Sequence, residues 1–286
     1  MDIIHTFGIS GFADVVLSSL GEMPVQTINS LDDPQLAPYR NMKDKELARN
    51  GRRFIAEGEN VVRRLLASST PVESVLLAER KVPAIAPLCP DGVPVYAASD
   101  NLIERIIGFE FHSGVLACGI RPRAPALQVL IPPPPGQALL TICQQITNAE
   151  NLGSLIRISA AFGADAIVLG ERCCDPWFRQ CVRVSMGSIF AIPIFRSSDL
   201  LSDLDAVKNL DITRLAAVVG ENAEPLDSIE PIHRVAVVFG SEAQGLDSET
   251  IGRCDRRVTI PMRRGTDSLN VGIAAAVFLY HLTRGR

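Results

Sequence analysis

Ile260-Pro261-Met262, a polar run over 263–267, and then Ser268-Leu269-Asn270-Val271 opening an apolar segment that runs to Leu282: this stretch decides how the chain is read. A strand-like run stops at a proline, and a short polar turn delivers a serine and an asparagine to a helix start expected at Ser268. The first turn of a helix has backbone N–H groups without intrahelical partners, so two polar side chains there make a site for a polar ligand.

Upstream, the pattern alternates regularly. Strands are expected at Leu139–Ile142, Ala166–Leu169, Ile189–Phe195 (interrupted by Pro193), Leu215–Val219, Val235–Phe239 and Val258–Ile260. Helices are expected at Leu152–Phe162, Pro176–Met186, Asp199–Leu210, Leu246–Cys254 and Ser268–Leu282. Near-continuous Val/Ile/Leu strands alternating with helices predict an α/β domain whose parallel sheet is covered on both faces.

Prolines divide the chain. Arg121-Pro122-Arg123-Ala124-Pro125 and the four consecutive prolines before Gly136 disfavour helix and central strand, so residues 122–136 read as a linker. Residues 137–286 form the larger domain. Residues 27–121 form a smaller α/β domain: an exposed helix around Lys43–Arg49, an amphipathic helix from Glu59 to Ser68, strands at Val72–Leu77, Val95–Ala97 and Gly114–Ile120, and a helix at Asn101–Ile107. Residues 1–26 read as an N-terminal extension without the basic start of a signal peptide, with Met23 an alternative first residue.

A hydrophobic content of 47% over 286 residues provides for a sizeable core, and the net charge of −4 carries no overall nucleic-acid signature. The seven cysteines are odd in number and contain no C-x-x-C pair, which points away from a disulfide framework or a zinc site and toward a reducing cytoplasm; no metal is expected. No apolar run reaches the roughly eighteen residues of a membrane helix.

Two further motifs follow the first and fifth of these strands. Asn148-Ala149-Glu150-Asn151-Leu152-Gly153 continues to Arg157, at the carboxyl edge where open α/β sheets bind ligands. The stem of Arg157 is expected to be partly buried among Leu155, Ile156 and Ile158. Gly240-Ser241-Glu242-Ala243-Gln244-Gly245 is a glycine-bounded loop carrying one carboxylate; it matches neither the dinucleotide nor the P-loop fingerprint. Taken singly, the first motif reads rather as a helix cap with a surface arginine, and the second as a plain strand–helix turn.

Together and in this order, the three motifs resemble the SpoU/TrmH family of RNA 2′-O-ribose methyltransferases, within the SPOUT superfamily. Arg183-Val184-Ser185-Met186-Gly187 resembles a further family signature, and the resemblance covers essentially all of 137–286. The N-terminal part resembles the RNA-binding domain often fused to that catalytic domain, through Arg53-Phe54-x-x-Glu57-Gly58 and His112-Ser113-Gly114. Departures are Ala243 where glycine is usual, Asn148-Ala149 where Asp-Pro is common, and Gly272 where serine often stands.

The resemblance implies a trefoil-knotted C-terminal domain (an α/β knot), S-adenosylmethionine as cofactor, and a cytoplasmic homodimer. It places Asn151, Arg157, Glu242, Ser268 and Asn270 in the chemistry. Cofactor contacts fall to Gly240, Gly245, Ile260 and Leu269, with Val219, Gly220 and Met262 lining the adenine pocket. Methyl transfer to a ribose hydroxyl is an in-line displacement from a sulfonium, so the enzyme must align the hydroxyl and remove its proton. Arg157 matches the arginine assigned as base in the family, but a guanidinium stays protonated, and pairing with a substrate phosphate is the expected role.

RNA affinity must then come from local charge. Between Arg40 and Arg64 eight Lys/Arg face four acids, a net +4 in an acidic protein, and Lys43, Lys45, Arg49, Arg52 and Arg53 are the expected phosphate contacts. Ribosomal RNA is the expected substrate ahead of transfer RNA. Methylation of a base nitrogen is disfavoured by Asn151 with Arg157, and a non-catalytic RNA-binding or ribosome-assembly factor by the presence of all five polar side chains.

Overall fold

Short aliphatic runs become the strands of two sheets, one in each part of the chain. The computed structural model describes residues 25–40, 52–108, 111–123, 125–220, 222–264 and 266–284. The expected extension over 1–24, the helix around Lys43–Arg49, and with them Lys43, Lys45 and Arg49, lie outside the described residues.

The N-terminal unit contains β1 (Val25–Thr27), β2 (Arg53–Glu57), α1 (Glu59–Leu66), β3 (Val72–Ala78), α2 (Val82–Ile85), β4 (Val95–Ala98), α3 (Asp100–Ile107) and β5 (Val115–Ile120). Its sheet runs β1-β4-β3-β5-β2, with β5 antiparallel to both neighbours and the other pairs parallel. The edge strand β1 begins at Val25, so two residues assigned to the extension belong to the sheet. Three residues are too short to show a period. Val61, Val62 and Leu65 place one face of α1 on the core, and Ser99 caps α3 by accepting from Leu102 N at 3.3 Å.

The linker is not an extended tether. It contains a helical turn, α4 (Leu127–Leu130), and Leu127 and Ile131 are buried against Leu140, Val168 and Ala236 of the larger sheet.

The C-terminal unit comprises β6 (Ala138–Cys143), α5 (Ala149–Ala161), β7 (Ala166–Leu169), α6 (Arg179–Val184), β8 (Ile194–Arg196), α7 (Leu200–Lys208), β9 (Thr213–Ala217), β10 (Glu224–Pro225), β11 (Arg234–Phe239), α8 (Ser248–Arg253), β12 (Arg256–Thr259) and α9 (Val271–Thr283). The order is β10-β12-β9-β11-β6-β7-β8, and every pair is parallel. All residues of β6, β7 and β11 are buried, as expected of strands covered on both faces. From β6 the chain builds outward through β7 to β8, then crosses to β9 on the other side of β11. The strand order therefore reverses between β6 and β11, and the loops after these two strands border the crevice where such sheets take ligands.

Several elements differ from expectation. Residues 176–178 form a turn, with Trp177 N on Asp175 Oδ1 at 2.9 Å, so α6 begins only at Arg179; left-handed Met186 and Gly187 end its turn. Ser188–Phe190 is a 3-10 turn, leaving β8 as three residues. The last helix starts at Val271, because Asn270 is extended and caps it, so Ser268 and Leu269 lie on the approach to the helix.

After β12 the chain returns to pack α9 on α5 and β11, where Phe278 meets Phe239 edge-on at 5.8 Å. The two units share one core: Phe54, Ala56 and Leu65 cluster with Leu152, Cys181 and Ile189. Polar contacts also cross the boundary, including an ion pair of Arg179 with Glu57, Arg121 with Asp175 at 2.6 Å, and Arg64 donating to the Met186 carbonyl at 2.7 Å.

Candidate active site

The site begins at the end of β6. Asn148 caps α5, its Oδ1 accepting from Glu150 N at 2.8 Å and Asn151 N at 3.2 Å. The helix thus starts three residues before the expected Leu152, and Asn151 sits inside its first turn. The amide of Asn148 supplies the cap that the family's Asp-Pro would supply. Gly153 lets α5 approach α6, since a Cβ there would lie 2.8 Å from the Cys181 carbonyl oxygen.

The loop after β11 is closed on itself. Ser241 N donates to Gly245 O at 3.1 Å, and Gly245 N donates back at 2.9 Å. A Cβ on Gly240 would fall 2.2 Å from the Gly245 carbonyl carbon, so no other residue fits this tight loop. Ala243 does not prevent closure. Glu242 projects from the loop and is exposed.

Asn270 joins the third motif to the other two. Its Oδ1 accepts from Gly272 N at 2.9 Å and from Ile273 N at 3.4 Å, capping α9. That fixes its Nδ2 as the group facing Asn151 Oδ1, 2.9 Å away. Asn151 in turn directs Nδ2 at Glu242 Oε1, at 2.5 Å. Each amide orientation follows from the one before, so the chain has a single direction: Asn270 to Asn151 to Glu242. It ends on a carboxylate, which only accepts when ionised. Three of the five expected catalytic residues are therefore brought together by contacts across 119 and 91 positions of sequence.

Ser268 lies exposed on the approach to α9. Arg157 is also exposed rather than partly buried, and among the described residues it has no hydrogen bond or ion pair in the chain. Six positions beyond Asn151, it points about 120° away around α5.

The expected cofactor residues share one edge. Val219 and Gly220 follow β9, Gly240 and Gly245 follow β11, and Ile260 and Met262 follow β12. These strands are adjacent, and Val218 N on Val258 O at 3.0 Å holds the exits of β9 and β12 together. Val219 is 64% exposed and Leu269 37%, apolar side chains left open beside backbone donors and acceptors.

Gln144, at the exit of β6, is a residue sequence reasoning missed. Its Nε2 donates to Asp247 Oδ2 at 2.6 Å and Thr250 Oγ1 at 2.7 Å, and its Oε1 accepts from Asp247 N at 3.1 Å. It braces the end of the Glu242 loop against the strand that leads to Asn151. Asp247 caps α8, and the Thr250 backbone N–H, followed by the Thr250 hydroxyl and Gln144, holds its carboxyl below the usual carboxylate range. Glu150 accepts from Gln180 Nε2 at 2.6 Å, tying the first turn of α5 to α6. A polar residue ending an otherwise apolar strand was the available signal for Gln144.

Of the expected RNA contacts, Arg52 is exposed, whereas Arg53 is paired with Glu73 Oε2 at 2.6 Å, a hydrogen bond that raises its pKa. Burial pushes the thiols of Cys143 and Cys118 up, the latter to about 12, so these cysteines stay protonated and poor nucleophiles. Among the described residues no His/Cys/Asp/Glu group is placed to hold a metal, and no helix is long and apolar enough to cross a membrane.

Comparison with known proteins gives a consistent result. The profile of the SpoU rRNA Methylase family matches residues 138–280. A Mycobacterium bovis protein described as an uncharacterised tRNA/rRNA methyltransferase is 35% identical over 270 residues, 92% of this chain and 93% of its own. The 23S rRNA (guanosine(2553)-2′-O)-methyltransferase RlmP of Bacillus subtilis is 26% identical over 262 residues, 90% of this chain and 99% of its own. The crystal structure of an AdoMet-bound rRNA methyltransferase from Sinorhizobium meliloti superposes with a TM-score of 0.75 at 24% identity, covering 91% of this chain and 98% of that one.

Proposed function

The chain belongs to the SpoU rRNA methylase family, and from that membership we infer that it transfers a methyl group from S-adenosylmethionine to a ribose 2′-hydroxyl of ribosomal RNA. The observation that carries this reading is the Asn270–Asn151–Glu242 chain, which joins three separate loops beside the crevice between β6 and β11.

The residues present fit the cofactor. The exits of β9, β11 and β12 offer backbone N–H and C=O groups beside aliphatic Val219, Ile260, Met262 and Leu269, the lining that orients a neutral purine. When bound, S-adenosylmethionine supplies an electrophilic methyl and leaves as a neutral thioether.

The protein's own work is then alignment and proton removal. Asn151 and Asn270 hold Glu242 in one orientation, and its carboxylate accepts a hydrogen bond from the ribose hydroxyl and takes up its proton as the methyl is transferred. Ser268, exposed two residues before Asn270, orients the ribose. Arg157 remains protonated and pairs with a substrate phosphate. Arg52, with Lys43, Lys45 and Arg49, adds phosphate contacts from the N-terminal domain, while Arg53 is engaged by Glu73.

The working protein is a homodimer in the cytoplasm. Ile273, Val277 and Tyr280, at spacings of four and three along α9, are 55%, 39% and 61% exposed and form an apolar stripe that a second copy would cover. Tyr280 packs edge-on against Phe162, the residue that ends α5, at 6.4 Å between ring centroids, so the stripe borders the helix that carries Arg157. Docking there sets Arg157 close to the boundary between two copies. The return of α9 across β11 supports the trefoil threading of the family.

Incubation of the purified protein with methyl-labelled S-adenosylmethionine and ribosomal RNA from cells lacking the gene tests the reading. Label is expected in the RNA. Its absence, with cofactor and RNA both bound, would replace the enzyme by a binding protein of the same fold.

A further inference from the structure

A second cavity lies between the two units and shares no residue with the Asn151–Glu242–Asn270 site. It is a cleft of about 550 Å³, within the range of ligand-sized clefts (about 300–1,000 Å³). Arg121 and Arg123 enter it from the start of the linker, Asp175 and Trp177 from the turn before α6, Phe190 from the turn before β8, and Arg196 from the end of β8.

The aromatic part is held rigidly. Trp177 is half-buried, with Phe54 at 4.7 Å on the N-terminal side and Phe190 at 6.4 Å, both between ring centroids. The basic part is fixed as well. Arg121 Nη1 pairs with Asp175 Oδ2 at 2.6 Å, and its N and Nε bond the carbonyls of Arg52 at 2.8 Å and Arg53 at 3.0 Å. Its Nη2 is buried and has no acceptor among the described residues. Arg196 is exposed, anchored by a hydrogen bond to the Cys173 carbonyl at 2.9 Å, and Arg123 is exposed. Three arginines therefore oppose one aspartate in the lining.

We propose that this interdomain cleft binds one unstacked nucleotide of the RNA, its base against Trp177 and Phe190 and its phosphate at Arg123 and Arg196. The inference rests on RNA being the substrate. Single-stranded nucleotides are recognised by this combination: an aromatic platform for the π-face of the base and arginines for the backbone. A free anion would have no use for the aromatic floor, nor an apolar peptide for three arginines. The nucleotide held here lies outside the methylation site, so the cleft fixes the register of the RNA and contributes to the choice of target.

Trp177 is the sole tryptophan of the chain, so fluorescence excited selectively at tryptophan, beyond the absorption of the tyrosines, reports on the cleft. The full-length protein is titrated with a short single-stranded RNA, with an abasic RNA of equal length, and with S-adenosylmethionine. Saturable quenching is expected with the first only. Arg123→Glu should weaken that RNA at least tenfold, and Ala191→Phe, which adds bulk to the cleft wall, should abolish quenching. Both variants should keep the cofactor affinity and thermal midpoint of the wild type. Retention of the RNA on filters without quenching, or equal quenching by the abasic RNA, would overturn the cleft assignment while leaving the methyltransferase reading intact. RNA that is not retained at all would overturn the cleft as well, while label transfer to ribosomal RNA, measured in parallel, decides the methyltransferase reading.

Discussion

Asn270 Nδ2 donates to Asn151 Oδ1 at 2.9 Å, linking the cap of the last helix to the first turn of α5. One side chain thus does two jobs, because its Oδ1 also accepts from Gly272 N at 2.9 Å. The two can be separated. Asn270→Asp keeps the cap acceptor and should leave thermal stability near the wild type, whereas Asn270→Ala should cost about 1 kcal/mol. Both lose the donor to Asn151, and both should lower methyl transfer at least about tenfold, the equivalent of about 1.4 kcal/mol in the barrier. Thermal unfolding and single-turnover transfer distinguish the roles; full activity in the aspartate variant would remove the Asn270–Asn151 bond from the mechanism.

Arg157, exposed and without a partner among the described residues, should act on the substrate rather than on the fold. Arg157→Lys should retain partial RNA binding with an unchanged thermal midpoint and lose most methyl transfer. Arg157→Ala should also reduce the salt slope of binding by about one phosphate contact. Near-normal transfer by either variant would take Arg157 out of the site.

The stripe of Ile273, Val277 and Tyr280 predicts the oligomeric state. Ile273→Glu together with Tyr280→Glu places charges where a second copy must pack. Light scattering should show a dimer for the wild type and a monomer for the double variant, with methyl transfer lost alongside. A wild-type monomer at micromolar concentration that transfers methyl groups would contradict the dimer.

Arg214 on β9 is buried and bound by Asp255 through Nη2–Oδ1 at 2.7 Å and Nε–Oδ2 at 3.0 Å, with the Arg214 backbone N–H on Oδ2 at 2.7 Å. The side-chain bond from Arg214 leads in holding the Asp255 carboxyl below the usual carboxylate range. A folded-state value below the unfolded one means that this stabilisation is complete above about pH 4 and is lost as pH falls through the lower, folded value. Asp255→Asn should cost about 2 kcal/mol at neutral pH, under the about 3–5 kcal/mol of a fully buried pair because Asp255 stays partly exposed. The gap to the wild type should close under acid unfolding; a gap independent of pH would rule out the ionised pair as its source.

Legibility in the sequence followed the range of the forces involved. Strands such as Ala166–Leu169 were readable because burial on both faces demands a continuous apolar run. The Asn151, Glu242 and Asn270 loops were readable only together, because each alone is an ordinary cap or turn and it is the three in this order that set them apart. Gln144 was not, since its role depends on Asp247 and Thr250, 103 and 106 positions away. The start of α9 was misplaced because Ser268 is as good a cap by type as Asn270, and only the Asn151 contact selects between them. Ile189–Phe195 carried the composition of a strand, but Gly187 in the left-handed region and the packing of Phe190 on Phe54 and Trp177 turn most of it into a connection. The exposure of Arg157 follows from its angle on α5, which a mixed apolar neighbourhood in sequence conceals.

The central claim is that Asn151, Glu242 and Asn270 direct a methyl group to a sugar oxygen. Ribosomal RNA from cells with and without the gene, and from cells carrying Glu242→Gln, is digested to nucleosides and resolved by mass spectrometry, with resistance to alkaline cleavage marking the position. The account predicts one 2′-O-methylated nucleoside in the wild type that is missing from both other samples. A mark on a base nitrogen, or an undiminished 2′-O-methyl mark with Glu242→Gln, would contradict it.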